Sequence, residues 1–250
     1  MSWFLLMPVI FASSLVLTMV GLGGGLIFSP LFILLAFPVS TAVSASLFLN
    51  GIAALSAAIT YFRKKMVDVQ VGVPLIIASA LAAPLGALTT ARVNIKIFTA
   101  ILAAVIFLAA LRMLFAGKIE AAAEKVGTWR RVIGGGGIGL VIGYMAGLLG
   151  IGGGVFIVPL LIFLLKVPTK IAAATSIFIV VFSSFSGFVT HISLAKADWN
   201  LILVAALFSF AGGQVGSRIM AEKLKPSTVR RLFGVVLLLF VFKLVQRVWS

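Results

Sequence analysis

Gly21-Leu22-Gly23-Gly24-Gly25-Leu26-Ile27-Phe28-Ser29-Pro30-Leu31 and Gly150-Ile151-Gly152-Gly153-Gly154-Val155-Phe156-Ile157-Val158-Pro159-Leu160 are one motif written twice, 129 positions apart. Four glycines, a proline and a leucine match in place. At a spacing of 130 the likeness continues through Pro38 and Pro168, Ala42 and Ala172, Ser46 and Ser176, Phe48 and Phe178, Ser56 and Ser186, Thr60 and Thr190, and Asp68 and Asp198. A unit of roughly 125 residues therefore occurs twice.

The composition says where this unit lives. The 250 residues are 62% hydrophobic and 10% charged, with a mean hydropathy of +1.29; soluble domains carry about a quarter charged residues. The chain reads as an all-α integral membrane protein. At ~20 apolar residues per crossing it has material for about seven or eight segments, with short loops and no extramembrane catalytic domain. The first apolar run has no Lys or Arg before it and is expected to be retained rather than removed as a signal peptide. Zero cysteines exclude disulfides, thiolate metal sites and iron–sulfur clusters, and a single histidine with five carboxylates leaves little else for a metal, so neither metal nor cofactor is expected.

The net charge of +15 would point to nucleic acid in a soluble protein. Here the basic groups Arg63-Lys64-Lys65 and Arg130-Arg131 stand between apolar runs, where positive charge orients a membrane protein and meets anionic lipid. The expected partner is the bilayer, not nucleic acid.

The apolar runs divide the chain into residues 1–131 and 132–250. The first copy has a glycine-broken helix over 3–37, helices over 41–62, 71–90 and 97–115, and a polar linker over 117–131. The second has a broken helix over 132–165 and helices over 171–192, 201–217 and 232–249. After each glycine cluster the apolar arm reaches only ~17 Å, about half the hydrocarbon thickness, so these arms read as half-helices.

Loop charges choose between two paths. If every long helix spans and each short arm merely extends its helix, the twenty basic residues alternate eleven to nine between faces, with almost no bias. If each glycine cluster is the tip of a re-entrant hairpin, Arg92, Lys96, Lys196, Lys243 and Arg247 share one face and the other fifteen share the opposite one. The second satisfies the positive-inside rule, puts both termini outside and makes the repeats inverted. Trp3–Val20, ~27 Å as straight helix, is long for an arm that stops halfway.

Repeats of this kind are typical of transporters, in which two similar halves expose a central site to each side in turn. The glycine clusters break helices at membrane depth, where free backbone is tolerated only beside protein or water. Each is followed by a helix N-terminus, whose N–H groups and positive dipole end favour an anion. Gly21, Gly23, Gly24 and Gly25, with Gly150, Gly152, Gly153 and Gly154, are the candidate backbone donors. Counting ~17 Å down the following helices reaches Asn50 in the first copy, and Phe182, Ser183 and Ser184 in the second. Ser46, Asn50, Thr175, Ser176 and Ser183 are the candidate side-chain ligands, neutral donors that complete an anion site without burying a charge. Asp68, Glu120, Glu124, Asp198 and Glu222 all fall in loops or at helix ends, which argues against a proton or cation path through acids. The membrane potential, about 2.3 kcal/mol per charge per 100 mV, itself favours anion exit.

Competing readings are weaker. Gly135, Gly139, Gly143 and Gly147 recur every four residues and read as a packing stripe. The Gly-rich runs lack the strand and acidic residue of a dinucleotide fold. Gln214 is either packing glue or pore lining. A membrane enzyme would have to use Ser186 with His191, yet five residues on one helix separate the side chains by about 140°. No enzyme is expected.

On the paired Gly-x-Gly-Gly-Gly motifs with Pro30 and Pro159, and on Ala42-Val43-Ser44-Ala45-Ser46 with Ala172-Ala173-Ala174-Thr175-Ser176, the chain resembles the TauE/SafE family of sulfite or organosulfonate exporters over essentially its whole length. The resemblance implies a secondary transporter that exports a small sulfur oxyanion across the bacterial inner membrane, and it supplies no residue roles. The copies are not equivalent: Asn50 has Val180 as its counterpart, and Ala45 has Thr175.

Overall fold

The computed structural model describes residues 3–89, 95–115, 128–149, 154–190 and 199–249. These form ten helices and, among the described residues, no strand: α1 (Trp3–Val20), α2 (Gly25–Leu34), α3 (Val39–Arg63), α4 (Val69–Thr89), α5 (Ile95–Phe115), α6 (Thr128–Leu149), α7 (Gly154–Phe163), α8 (Thr169–Thr190), α9 (Trp199–Glu222) and α10 (Pro226–Trp249). Thr41–Arg63, Thr169–Val189 and Asn200–Glu222 are each long and apolar enough to cross a membrane.

Three helices outrun their apolar stretches. α6 begins at Thr128, inside the expected linker; α9 runs on from Ser217 to Glu222; and α10 begins at Pro226 rather than Leu232. Hydropathy falls where charges begin, but the backbone ladder does not need apolar side chains, and Arg, Lys, Glu, Met and Ala are all good helix formers. A proline suits the first helical position, where its missing N–H costs nothing.

The chain divides into two compact units that cut across the sequence copies. One holds Met1–Asp68 with Ala173–Leu224, and the other holds Val69–Ala172 with Lys225–Ser250.

In the first unit α9 is a glycine-faced wedge between α1 and α3. A Cβ at Gly212 would meet the Phe11 carbonyl and Ser14, and one at Gly216 would meet the Leu15 carbonyl and Thr18. On the next face, a Cβ at Gly213 would meet the Ala53 carbonyl at 2.5 Å. Small residues let backbones approach where lipid gives helices no hydrophobic reason to associate. A polar seam crosses the same three helices: Ser14 and Ser209 share a 3.0 Å hydroxyl contact, and the Ser209 hydroxyl donates to the Leu49 carbonyl at 2.9 Å. Higher residue numbers on α1, α3 and α9 meet one another in order, ending in Lys64 and Glu222 at 2.9 Å, so these three run parallel.

Phe28 and Phe32 of α2 pack in one buried cluster with Leu6, Met7 and Ile10 of α1, Ala42 and Ala45 of α3, and Ile202 of α9. This places α2 beside the first half of α1, so the chain doubles back after Val20. α8 runs antiparallel to α3, because advance along one is retreat along the other: Phe48 meets Phe188 at 5.2 Å, Asn50 meets Ser184, and Phe62 meets Phe178 at 5.1 Å.

In the second unit the glycine stripe packs α6 against α4. The carbonyls of Val71 and Leu75 lie 2.6 and 2.5 Å from where Cβ atoms of Gly135 and Gly139 would stand, and Gly143 faces Ser79 in the same way. The contact is backbone on backbone; Gly147 has no described surroundings. Arg112 of α5 lies over the Phe163 ring of α7 at 4.8 Å, and Gly234 of α10 faces Ala110 and Leu114 of α5.

Equivalent points of the two copies share backbone conformation. Ala36 and Lys166, 130 positions apart, both have positive φ, at 62° and 51°. The next helix in each copy opens alike, with Ala42 N–H on the Pro38 carbonyl and Ala172 N–H on the Pro168 carbonyl, both at 2.9 Å.

Candidate functional site

α1 ends because Gly21 turns left-handed, at φ +88°. Its N–H donates to the Thr18 carbonyl (3.3 Å), and the Leu22 N–H donates to the Leu17 carbonyl (2.9 Å). This is a Schellman cap, with Leu17 and Leu22 both buried as its hydrophobic contact. Gly23, at φ +68°, turns the chain again, and Gly24 becomes the N-cap of α2 with no side-chain cap of its own. The break thus leaves carbonyls at the end of one helix and amides at the start of the next in a buried place, where each needs a partner.

Residues of α3 and α8 supply partners. The Gly24 N–H donates to Asn50 Oδ1, and Asn50 Nδ2 donates to Ser184 Oγ at 2.7 Å. The Ser176 hydroxyl donates to the Gly21 carbonyl at 2.7 Å. A Cβ on Gly23 would strike Asn50 Oδ1 and stand 3.2 Å from Val180 Cγ1. Ser176, Val180 and Ser184 are spaced by four along α8, so one inclined ridge faces the break. Tyr61 ties α3 to α1 through its hydroxyl on the Thr18 carbonyl (2.9 Å).

Of the residues singled out from the sequence, the structure brings Gly21, Gly23, Gly24, Asn50 and Ser176 together. Gly25 opens α2. Ser46 is buried on α3, at 3% exposure. Thr175 turns instead to the α3–α4 loop, where its hydroxyl accepts from Asp68 N–H at 2.9 Å. Ser183 is exposed and donates to the Val180 carbonyl of its own helix (3.2 Å). Gly154 opens α7, while Gly150, Gly152 and Gly153 lie outside the described residues, as do Glu120, Glu124, His191 and Asp198. Depth counting reaches Ser183 and Ser184 alike, and of the two it is Ser184, not the candidate Ser183, that meets Asn50. Stepping by four from Ser176 would have singled out Ser184, because packing ridges follow that row and not depth alone.

Gln214 belongs to a separate polar group between α3 and α9. The Ser56 hydroxyl donates to the Phe210 carbonyl at 2.8 Å. With the Gln214 nitrogen turned to Ser56, its oxygen accepts from Arg218 Nη2 at 3.2 Å and Thr60 Oγ1 at 3.3 Å. The described carboxylates, Asp68 and Glu222, stand at helix ends.

The sequence matches the family described as Sulfite exporter TauE/SafE over residues 6–244. The chain belongs to the TauE/SafE family. It is similar to the probable membrane transporter protein YunE of Bacillus subtilis (27% identical, covering 91% of this chain and 92% of that one). It is also similar to the probable membrane transporter protein YdhB of the same organism (23% identical, 90% and 92%). A probable membrane transporter protein of Xylella fastidiosa (strain Temecula1) is 30% identical over 45% of this chain and 44% of its own. No solved structure matches. This TauE/SafE protein is a membrane transporter.

Proposed function

We propose that this transporter is a secondary carrier that exports a small oxyanion, sulfite or a short organosulfonate, through the inner membrane by alternating access, engaging the anion at the Gly21–Gly24 break. One observation carries the reading. Asn50 and Val180, which occupy the same place in the two sequence copies, come from antiparallel helices to the same glycine, Gly23. Equivalent residues of an inverted repeat meet only near its pseudo-twofold axis, and transporters of that design bind substrate there. The antiparallel packing of α3 and α8, and the matched conformations at Ala36 and Lys166, support the inverted repeat.

The chemistry suits an anion. The break offers the N-terminal amides of α2, with the hydroxyls of Ser176 and Ser184 and the amide of Asn50 around it. All are neutral, so the site buries no net charge of its own, and amides and hydroxyls are groups that can donate to an anion. The family description names sulfite, an oxyanion of the class that such donors suit.

Flux into proteoliposomes tests the proposal. Sulfite uptake that saturates and is accelerated by sulfite on the far side supports the carrier. A conductance that rises linearly with concentration would make the protein a passive anion channel.

A further inference from the structure

The Asn50 side chain already fills the place assigned to the substrate. Its Oδ1 sits on the Gly24 N–H at the start of α2, and its Nδ2 reaches the other way to Ser184 on α8. The residue is 8% exposed, and Gly23 lies so close that even a methyl group there would overlap Oδ1. A carbonyl oxygen at a helix N-terminus does in neutral form what an anion oxygen does in charged form: it accepts from the cap N–H at the positive end of the dipole. Gly24 cannot donate fully to both.

From this competition, and resting on the function proposed above, we propose that Asn50 is a latch that stands in for the substrate. In the observed state its amide closes the break; an arriving oxyanion takes the Gly24 N–H in its place. The exchange is favourable because a hydrogen bond to a charged acceptor is roughly twice as strong as one to a neutral acceptor. Since one planar amide holds Gly24 with its oxygen and Ser184 with its nitrogen, displacing the oxygen also strains the tie to α8. Occupancy of the break is thereby coupled to the contact between two helices that come from different copies of the repeat. Asn50 is then a positioning residue whose bond must be broken for binding, not a ligand that adds to it.

The two roles give opposite kinetics. A ligand's removal raises KM; a latch's removal lowers it, because binding no longer competes with an internal acceptor. In proteoliposome sulfite flux, the latch predicts that Asn50→Ala lowers KM roughly 2- to 10-fold, the range of one net hydrogen bond. It predicts the same direction, to a smaller extent, for Ser184→Ala, which loosens the amide from its other end and keeps the inquiry open if Asn50→Ala folds poorly. Asn50→Asp, which fixes a carboxylate of the same shape on the Gly24 N–H, is predicted to abolish sulfite transport while the purified protein melts no lower than wild type. A raised KM in both alanine variants, or wild-type flux by Asn50→Asp, overturns the latch and leaves the carrier standing. Absence of saturable flux from the wild-type protein overturns both.

Discussion

At the scale of single residues, backbone conformation decides more than side-chain chemistry. Gly21 and Gly23 hold φ angles that L-residues enter at a cost of about 1–2 kcal/mol, and Gly23 has no room for a Cβ. Ala36 adopts φ +62° at the end of α2 without being a glycine. It closes a Schellman cap, with Ala36 N–H on the Ile33 carbonyl (3.0 Å), Phe37 N–H on the Phe32 carbonyl (3.1 Å), and the Phe32 and Phe37 rings 5.5 Å apart. Ala36→Gly is therefore expected to raise stability by about 1 kcal/mol, seen as a higher melting temperature in detergent, and Ala36→Val to lower it. A melting temperature that does not respond to either change would contradict the strain. The glycine positions were legible in the sequence because glycine enters these angles without steric cost. Asn50 was legible by depth. The rotation of α8 was not, since choosing Ser184 over Ser183 needs the packing ridge and not the count.

At the scale of elements, helix existence followed from apolar runs, and α1 was bounded at Trp3 and Val20 from sequence alone. Ends at charged residues were not found, as in α6, α9 and α10, because lipid exposure and helix formation obey different rules. The stripe of Gly135, Gly139 and Gly143 was read as packing, and it meets α4 backbone to backbone. Gly139→Leu drives a side chain into the Leu75 carbonyl. It is expected to cost about 1–3 kcal/mol or more, from overpacking with nowhere to relax. Reduced yield of folded protein and a lower melting temperature check this, with Gly136→Leu, which meets nothing within 4 Å, as the tolerated control.

The length of α1 has its explanation here as well. Its first half lies level with Ile202 and its last turn with Gly216 of α9, so α1 traverses much of the depth that α9 does, while α2 covers only the return from Gly25 to Leu34. The arms of the doubled-back segment are unequal. Sequence counting already makes Trp3–Val20 longer than the half-helix that follows it, but it does not show where along α9 each arm lies.

At the scale of the whole molecule, the repeat was visible in the sequence, but the crossing of its pieces was not. The first compact unit combines α1, α2 and α3 of one copy with most of α8 and all of α9 of the other. Under the proposed function, such crossing makes substrate at one copy's break a matter for the other copy's helices. The charge pattern adds a topology that labelling can check, because the chain has no cysteine of its own. A single cysteine at Lys65 is expected to react only from the cytoplasm, and one at Lys196 only from outside. Reaction of both from the same side would contradict the inverted arrangement.

The central claim is that a small oxyanion binds at the α1–α2 break. Its most direct test is equilibrium exchange of labelled sulfite by proteoliposomes containing wild-type protein or Gly24→Leu, whose side chain would occupy the space before the Gly24 N–H and press on Phe28. The account predicts saturable exchange by the wild type and none by a correctly inserted Gly24→Leu. Equal exchange by the two proteins would contradict it.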